Sequence, residues 1–492
     1  MLGLFLLVRG SLIDDSYITL AYAKNLALHL HWGLIPQEFS NTVTSPLNVA
    51  LLGALSAFTR VLGGVHPVLA LGILSVASVM VMAWGWARIT RVWQLPMWLA
   101  ALGVAVVLVN PFLLSSVGLE VLLIPALLIL LLATALEERP VWFGVIAGLT
   151  LLCRLDLLDF VVLIAASAPI VRRCWQRSLG VAAVVAAPWF LFSWIFFGSA
   201  VPDTLLIKTA SQKDWFSFSF IVSPVLYFTR RENMVAGAFL PAIIGAFILV
   251  VWLVARTSVR WEPPHRLPAI GPALALGAGG VAYYLQFAVL DVPPYHWYYV
   301  PPMASLSMFL VIAAGVWLKR ARERNRLRPA IPALLLGVTT LLVGANLARD
   351  LTQGVPWPAP AITTNFATAS EYARVGLALR KQVGNATVEN DGEVGTVAYF
   401  CDCALVELFS DRGHVIPLIN ERISKAGLLS RLVYRLNYLW LNRDEKPARA
   451  KYLLRFRFGP APRAGPDVWP VYSPSTLFFE KVPGHITLSR LP

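Results

Sequence analysis

The sequence predicts an α-helical polytopic membrane protein that ends in a small C-terminal α/β domain. Hydrophobic residues make up 57% of the 492-residue chain and charged residues only 14%, against about 25% charged residues in a typical soluble domain. Apolar runs of about 20 residues, the length that crosses a bilayer, recur along most of the chain. They stop near residue 348. We therefore assign residues 1–348 to a transmembrane domain and residues 349–492 to a soluble domain.

Ten apolar runs are candidate membrane spans, and a short apolar segment at the N-terminus brings the expected number to about 11 transmembrane helices. The runs are 65–87, 95–113, 119–136, 141–152, 157–171, 179–197, 235–255, 267–290, 298–318 and 330–347. The N-terminal segment is shorter than a span requires, which is typical of a truncated helix or of a start further upstream. We interpret the apolar segment 45–62, in the first outer loop, as an interfacial helix in the headgroup plane.

Basic residues end every second run, which orients the chain in the membrane. These ends carry Arg88 and Arg91; Arg139; Arg172, Arg173 and Arg177; Arg256 and Arg260; and Lys319, Arg320, Arg322, Arg324, Arg326 and Arg328. Because Lys and Arg concentrate in cytoplasmic loops, these ends face the cytoplasm and the other turns face outward. The same pattern accounts for the net charge of +14, so no nucleic-acid partner is expected. We expect a multi-pass plasma-membrane protein with an extracytoplasmic site and C-terminal domain.

The soluble tail is predicted to begin with a helix and two strands. Residues 365–382 have the pattern of an amphipathic helix, and 386–390 and 394–400 resemble strands around the turn at Asp391-Gly392. Cys401 and Cys403 flank Asp402, which is weak evidence for a metal or redox site. The chain carries no nucleotide-binding GxxxxGK[ST] motif and no HExxH motif, so an ATP-driven pump is not expected.

The adjacent carboxylates Asp14 and Asp15 are the first candidates for chemistry. They lie at a membrane boundary, in Ile13-Asp14-Asp15-Ser16-Tyr17-Ile18-Thr19, where charges are costly and are functional candidates by default. Such a carboxylate can serve as a general base. The alternative is a helix N-cap, although a cap needs only one carboxylate.

The other outward turns carry further polar candidates. Glu120 begins a helix, where a carboxylate also satisfies the helix dipole. Arg154 suits a phosphate, or it pairs structurally with Asp156 or Asp159.

Two more polar candidates lie on this side of the membrane. Lys208 follows a Gly- and Pro-containing turn and suits a lipid phosphate, or it is an ordinary solvated lysine. The run Tyr295-His296-Trp297-Tyr298-Tyr299 is typical of an interfacial aromatic belt. Its His296 can hydrogen-bond a phosphate or transfer a proton.

These motifs resemble a known family. Asp14 to Thr19, then Asn25-Leu26 and Thr44-Ser45-Pro46-Leu47, resemble the first outer loop of polytopic GT-C fold glycosyltransferases. The nearest resemblance is to the actinobacterial, including mycobacterial, terminal arabinofuranosyltransferases, which act in cell-wall biogenesis on arabinan. Similar landmarks follow in the same order: Gly118-Leu119-Glu120, Arg154-Leu155-Asp156, Pro202-Asp203-Thr204 with Lys208, and Tyr295-His296. Residues 28–32 replace an expected Gly-rich stretch and the tail is short, which leaves the acceptor open.

The resemblance implies an inverting GT-C glycosyltransferase. It would transfer a sugar, arabinofuranose, from a polyprenyl-phosphate donor such as decaprenyl-phosphate arabinofuranose to a cell-envelope glycan or glycolipid. By this resemblance Asp15 or Asp14 is the base, and Glu120 orients the acceptor or assists the base. The expected donor-phosphate ligands are Arg154, Lys208 and His296, and the expected substrate contacts are Tyr17, Tyr295 and Asp156.

Three alternatives stay open. The sugar can be mannose or another hexose, given to a lipid or protein acceptor. The chain can also be a transporter, although midplane charges and repeats typical of transporters are not evident, or a non-catalytic envelope assembly protein. Asp14, Asp15 and Glu120 are suitable ligands for a divalent cation (Mg²⁺, Mn²⁺ or Ca²⁺), and a metal-free base works equally well.

Overall fold

The computed structural model describes residues 1–215, 219–257, 270–324, 329–461, 465–476 and 482–492. It is mostly helical. The helices are α1 (Leu2–Val8), α2 (Asp14–His29), α3 (Pro46–Phe58), α4 (Pro67–Val92), α5 (Trp98–Leu108), α6 (Pro111–Leu114), α7 (Leu123–Leu136), α8 (Pro140–Cys153), α9 (Leu158–Ser167), α10 (Pro169–Arg173), α11 (Trp175–Phe196), α12 (Thr204–Trp215), α13 (Ser223–Arg230), α14 (Glu232–Thr257), α15 (Gly271–Leu290), α16 (Val300–Arg324), α17 (Ala330–Thr352), α18 (Ala369–Val383), α19 (Gly395–Cys401), α20 (Arg412–Lys425) and α21 (Leu428–Asn437). Short 3₁₀ turns cover Thr59–Leu62, Glu120–Leu122, Leu155–Leu157 and His296–Tyr299.

Six helices in the described part of the chain are long and apolar enough to cross a membrane. They are Pro67–Val92, Trp175–Phe196, Glu232–Val254, Gly271–Leu290, His296–Glu323 and Ala330–Thr352. The chain is therefore a multi-pass membrane protein, but the expected number of about 11 transmembrane helices is not confirmed. Arg260, Arg326, Arg328 and residues 267–269 of a predicted span lie outside the described residues.

The remaining predicted spans form shorter helices because proline and polar residues interrupt them. The run 95–113 divides into α5 and α6 at Asn110-Pro111, where the Asn110 side chain accepts a hydrogen bond from the Phe112 N–H. The run 157–171 divides at Pro169, since a residue before proline is disfavoured in helical conformation. The first-loop segment Pro46–Leu62 is also one of the shorter apolar helices, and its interpretation as an interfacial helix stays a prediction.

The apolar core lies around α16. Its span is almost entirely buried, as expected for a helix that is apolar on all sides. It packs against α5, α14 and α15. This central helix begins directly after His296–Tyr299, so the packing of α16 fixes the position of the aromatic run.

The C-terminal region carries a five-stranded sheet in the order β2-β1-β3-β5-β4. The strands are β1 (Val388–Asp391), β2 (Leu405–Val406), β3 (Tyr452–Phe458), β4 (Val468–Ser473) and β5 (Val482–Arg490). Strand β1 is parallel to β2 and β3, whereas β5 is antiparallel to β3 and β4. Helices α18–α21 complete this small α/β region.

The predicted helix 365–382 corresponds to α18, which begins with a capping box between Thr368 and Glu371. The predicted strand 386–390 overlaps β1. The predicted strand 394–400 is wrong, because these residues form α19. A tertiary contact explains the difference: α19 packs on α2, and the backbone N–H groups at its start donate to Asp14.

Candidate active site

Asp14 connects the first outer loop to the C-terminal region. Its two carboxylate oxygens accept hydrogen bonds from the backbone N–H groups of Gly395 (2.8 Å) and Thr396 (2.7 Å). The side chain is buried. Burial raises the pKa of Asp14 to about 6, although the two backbone hydrogen bonds oppose the rise. Asp14 is thus a cap for α19, in place of the cap for its own helix that the sequence allowed.

Two glycines allow the close packing around this turn. A Cβ on Gly395 would lie 2.1 Å from the backbone oxygen of Asp14. On the other side, the Ser16 hydroxyl donates to the backbone oxygen of Val117 (3.0 Å). Gly118, with φ +111°, faces Ser16 at a distance that leaves no room for a Cβ. The acidic pair is therefore held between α19 and the turn that leads to Glu120.

Asp15 differs from Asp14 in its partner and in its exposure. Its Oδ1 lies 2.9 Å from the Lys208 Nζ. About a quarter of the side chain is exposed (26%). Within the described part of the chain, no hydrogen bond reaches the other oxygen, Oδ2. Asp15 is therefore the carboxylate of the pair that a substrate hydroxyl can approach.

Lys208 is surrounded by aromatic rings. Its Nζ lies 4.6 Å from the ring centre of Tyr295 and 4.9 Å from that of Trp297, distances at which a cation–π contact contributes about 0.5–2 kcal/mol. Burial lowers the pKa of Lys208, but the contact with the Asp15 carboxylate outweighs burial and the net pKa is raised. Lys208 is consequently a fixed positive charge.

Arg154 is held by two carboxylates. Its Nη1 donates to Glu120 Oε1 (2.7 Å), its Nε donates to Asp156 Oδ1 (2.9 Å), and its Nη2 also contacts Asp156. Arg154 and Glu120 are buried. The predicted alternative of a structural pair with Asp156 is present, with Glu120 as an additional partner. This cluster has one cation and two anions, so Arg154 has less positive charge to offer a phosphate than an unpaired arginine.

Two adjoining cavities meet at Asp15 and Lys208. The larger, about 290 Å³, is close to the lower end of the volumes that hold small ligands. The smaller, about 40 Å³, is lined by Glu120, Arg154 and Tyr298 and has room for about one water molecule. Asp15, Ile18, Lys208 and Phe409 line both cavities.

The far wall of the larger cavity comes from the C-terminal sheet. Asn390 to Val394 line it at the end of β1, and Glu407 to Phe409 line it just after β2. Because β1 and β2 are parallel, their carboxyl ends meet at one edge, the usual binding edge of such sheets. Burial raises the pKa of Glu393 to about 8 and that of Glu407 to about 8, so both are largely neutral at pH 7.

The structure places the predicted site residues in three groups. Asp15, Lys208, Tyr295, Glu120 and Arg154 line the two cavities, and Asp14 lines the larger one. Asp156 joins them through Arg154. Tyr17 packs against Tyr399 and Phe400, and His296 is fully buried beside Phe112 and Trp297. Tyr17 and His296 line neither of these cavities.

Sequence reasoning missed the residues that the C-terminal region contributes. Gly395 and Thr396 lie in the predicted strand 394–400, and Glu393 and Glu407 are not among the predicted site residues. Glu393 follows the predicted strand and its turn, so its position at a strand end was a usable signal. The contributions of Gly395, Thr396 and Glu407 depend on how the C-terminal region packs against the helical region. No local sequence pattern carries that information.

The carboxylates suggested as metal ligands do not converge. Asp14 binds α19, Asp15 binds Lys208 and Glu120 binds Arg154. In the ranges that the structure describes, no three His, Cys, Asp or Glu side chains are grouped to hold a metal ion. Cys401 and Cys403 form a disulfide. As arranged, these donors do not fit a divalent cation.

The chain is a multi-pass membrane protein. Its similarity to solved structures supports the GT-C fold that the sequence resemblance implies. ArnT from Cupriavidus metallidurans is similar in its apo state (13% identity, TM-score 0.50) and bound to undecaprenyl phosphate (14%, TM-score 0.52). Each match covers 92% of this chain and 90% of ArnT. The apo oligosaccharyltransferase of Archaeoglobus fulgidus has 11% identity and a TM-score of 0.54, over 91% of this chain and 66% of that protein. At these identities the similarity is one of fold. The sequence matches no protein-family model and no curated protein.

Proposed function

We propose that this protein is a membrane-bound inverting glycosyltransferase. It moves a sugar, arabinofuranose, from a polyprenyl-phosphate donor to a cell-envelope glycan or glycolipid on the extracytoplasmic face. The observation that carries the proposal is the contact between Asp15 and Lys208 (2.9 Å) at the border of two cavities. The GT-C fold supports it, as does the ArnT structure with undecaprenyl phosphate, which is a polyprenyl phosphate.

Lys208 binds the donor phosphate in this mechanism. At 2.9 Å from Asp15, its ammonium leaves no space for a sugar between the two charges. The ion pair is therefore the resting arrangement, and the phosphate oxygen replaces Asp15 as the partner of Lys208. The rings of Tyr295 and Trp297 stabilise the ammonium during this exchange. As the sugar departs, Lys208 stabilises the charge that develops on the phosphate.

Asp15 is the general base. Once Lys208 has turned to the phosphate, the carboxylate is free to accept the proton of the acceptor hydroxyl, which attacks the anomeric carbon. A single displacement from the face opposite the phosphate inverts that carbon. Asp14 does not compete for this role, because both of its oxygens are occupied by the Gly395 and Thr396 N–H groups.

The remaining predicted residues act around this pair. Glu120 and Asp156 hold Arg154, which fixes the wall of the smaller cavity next to Lys208. A direct contact of Arg154 with phosphate requires one of these carboxylates to release it. The role of His296 in phosphate binding and that of Tyr17 in substrate binding stay predictions, because both residues lie outside the two cavities.

We also propose that the site and residues 349–492 are extracytoplasmic, with residues 1–348 as the transmembrane domain. One observation supports this placement: Cys401 and Cys403 form a disulfide, and disulfides persist in oxidising compartments. The proposed donor is compatible with the placement, since a lipid tail in the bilayer would let its phosphate reach Lys208.

The test uses the purified full chain in proteoliposomes with three donors: polyprenyl-phosphate arabinofuranose, ribose and mannose. We expect transfer from the arabinofuranose donor, and about a 10²- to 10⁴-fold loss in Asp15→Asn, the usual contribution of a general base. Transfer from mannose alone would replace the sugar assignment and keep the reaction class. The proposal would be overturned, in favour of a transporter or an assembly protein, if the protein bound and transferred none of the donors. Full function of Asp15→Asn would overturn it in the same way.

A further inference from the structure

Helix α21 exposes a continuous apolar face. None of its residues is buried. The rest of the protein leaves its apolar side chains mostly uncovered, from 88% exposed at Leu428 to 52% at Leu436. At about 100° per residue, the five apolar side chains occupy an arc of about 140°; they are Leu428, Leu429, Leu432, Val433 and Leu436. The opposite arc is polar, so the helix is strongly amphipathic.

Two hydrogen bonds place this helix at the end of a membrane-spanning helix. The Trp194 indole N–H donates to the backbone oxygen of Leu436 (2.8 Å). The Val201 N–H donates to the Asn437 side-chain oxygen (2.8 Å). Trp194 lies in the last turn of α11, one of the candidate spans. Helix α21 is therefore fixed at the level where α11 leaves the bilayer.

The apolar face of α21 continues a surface that already faces lipid. The last turns of α11 expose Leu191, Phe192, Ile195 and Phe196. After α21, Leu439 and Trp440 are also exposed, and tryptophan is enriched at membrane interfaces. Contiguous apolar patches of this kind on soluble surfaces usually mark an interaction site. Here the neighbouring lipid-facing helix identifies the partner as the bilayer.

A basic side chain borders this face. Arg435 is exposed next to the apolar arc. Basic residues beside an apolar helix face are typical of helices that lie in the plane of a membrane and bind anionic lipids. We propose that α21 is an in-plane membrane anchor, with its apolar face in the acyl-chain boundary and Arg435 on an anionic lipid headgroup.

The anchor is mechanically connected to the helix that carries Lys208. Leu206 and Ile207 of α12 share one apolar cluster with Ile416 and Ile419 of α20 and with Tyr438, just after α21. The membrane depth of α21 therefore helps to set the depth of Lys208. This connection holds independently of the reaction that Lys208 serves.

The test measures the depth of α21 in the full-length protein. A nitroxide is attached at Leu432→Cys on the apolar arc, or at the matched position Ser430→Cys on the polar arc. Both variants also carry Cys174→Ser so that this free cysteine is not labelled, and the other free cysteine, Cys153, is buried. Both side chains are exposed, so labelling disturbs no packing. In nanodiscs of mixed phosphatidylcholine and phosphatidylglycerol, we expect several-fold lower accessibility to a water-soluble nickel chelate at position 432 than at 430, with higher accessibility to oxygen.

Each other outcome overturns the proposal or one part of it. Equal access of the nickel chelate to both labels would place α21 in water. Low access of both nickel and oxygen at position 432 would mean that a protein partner or a second copy covers the face. In discs of phosphatidylcholine alone, we expect the ratio of oxygen to nickel access at 432 to fall. An unchanged ratio would overturn the assignment of Arg435 to an anionic headgroup.

Discussion

Gly395→Ala tests whether the C-terminal region positions Asp15, the proposed base. The new Cβ would lie 2.1 Å from the Asp14 backbone oxygen and 2.9 Å from the Ile18 nitrogen. Because both atoms belong to the backbone of α2, α19 must move away by about 1 Å to reach ordinary contact distances. That movement stretches the hydrogen bonds of 2.8 and 2.7 Å to Asp14 beyond useful length.

The cost follows from the two lost bonds. A hydrogen bond to a charged group contributes about 1.5–3 kcal/mol, so the pair contributes about 3–6 kcal/mol. Protonation of Asp14, whose pKa is already raised to about 6, offsets part of this loss. We therefore expect a destabilisation of about 3 kcal/mol. The share of this movement that α2 takes up displaces the neighbouring Asp15, and a displacement of about 1 Å should reduce kcat about 10²-fold.

The assay pairs sugar transfer in proteoliposomes with thermal unfolding of the same preparation. Gly465→Ala is the control, because a Cβ there would meet no atom within 4 Å, and it should leave both values unchanged. The reasoning is refuted if Gly395→Ala transfers sugar at the rate of the unmodified protein and unfolds at the same temperature.

Three further perturbations test the charges of the site. Glu393 and Glu407 have pKa values raised to about 8, so both ionise as the pH rises through 8. Their negative charges then repel the anionic donor, and the KM for the donor should rise above pH 8. The rise should be less steep in Glu393→Gln. The stability that these groups contribute is fully present below about pH 4.5 and is lost as pH rises through 8, which unfolding midpoints across that range would show. Lys208→Met should lower kcat/KM about 10²- to 10³-fold, and Lys208→Arg should retain part of the activity. Equal activity of both variants and the unmodified protein would remove Lys208 from the mechanism. Arg154→Leu leaves Glu120 buried without its cation and should destabilise the fold by about 3–5 kcal/mol, whereas Arg154→Leu/Glu120→Leu should recover part of that loss in thermal unfolding.

The sequence predicted what depends on local pattern. Long apolar runs became α4, α11 and α14–α17 because hydropathy and helix length are local properties. Charge alternation placed Asp15, Glu120, Arg154 and Lys208 at one membrane boundary, and the structure brings these four residues to one small cavity.

Other features depend on contacts between distant segments. The residues of α19 have the composition of a strand, but Asp14, 381 residues away from Gly395, binds the start of a helix there. The same contact gives the two adjacent carboxylates different partners, although they are equivalent in the sequence. Glu393 and Glu407 enter the cavity only because β1 and β2 are parallel neighbours.

Comparison of Asp15→Asn with Asp14→Asn tests the central claim most directly, with donor binding and single-turnover transfer measured on the same proteoliposomes. Asp15→Asn should bind the donor at least as tightly, because Lys208 no longer has a carboxylate partner, and should lose about 10²- to 10⁴-fold in the rate of transfer. Asp14→Asn keeps Asp15 and should retain a larger share of the rate, with its main loss in thermal stability. A greater rate loss in Asp14→Asn than in Asp15→Asn, with donor binding intact in both, would contradict the assignment of Asp15 as the base.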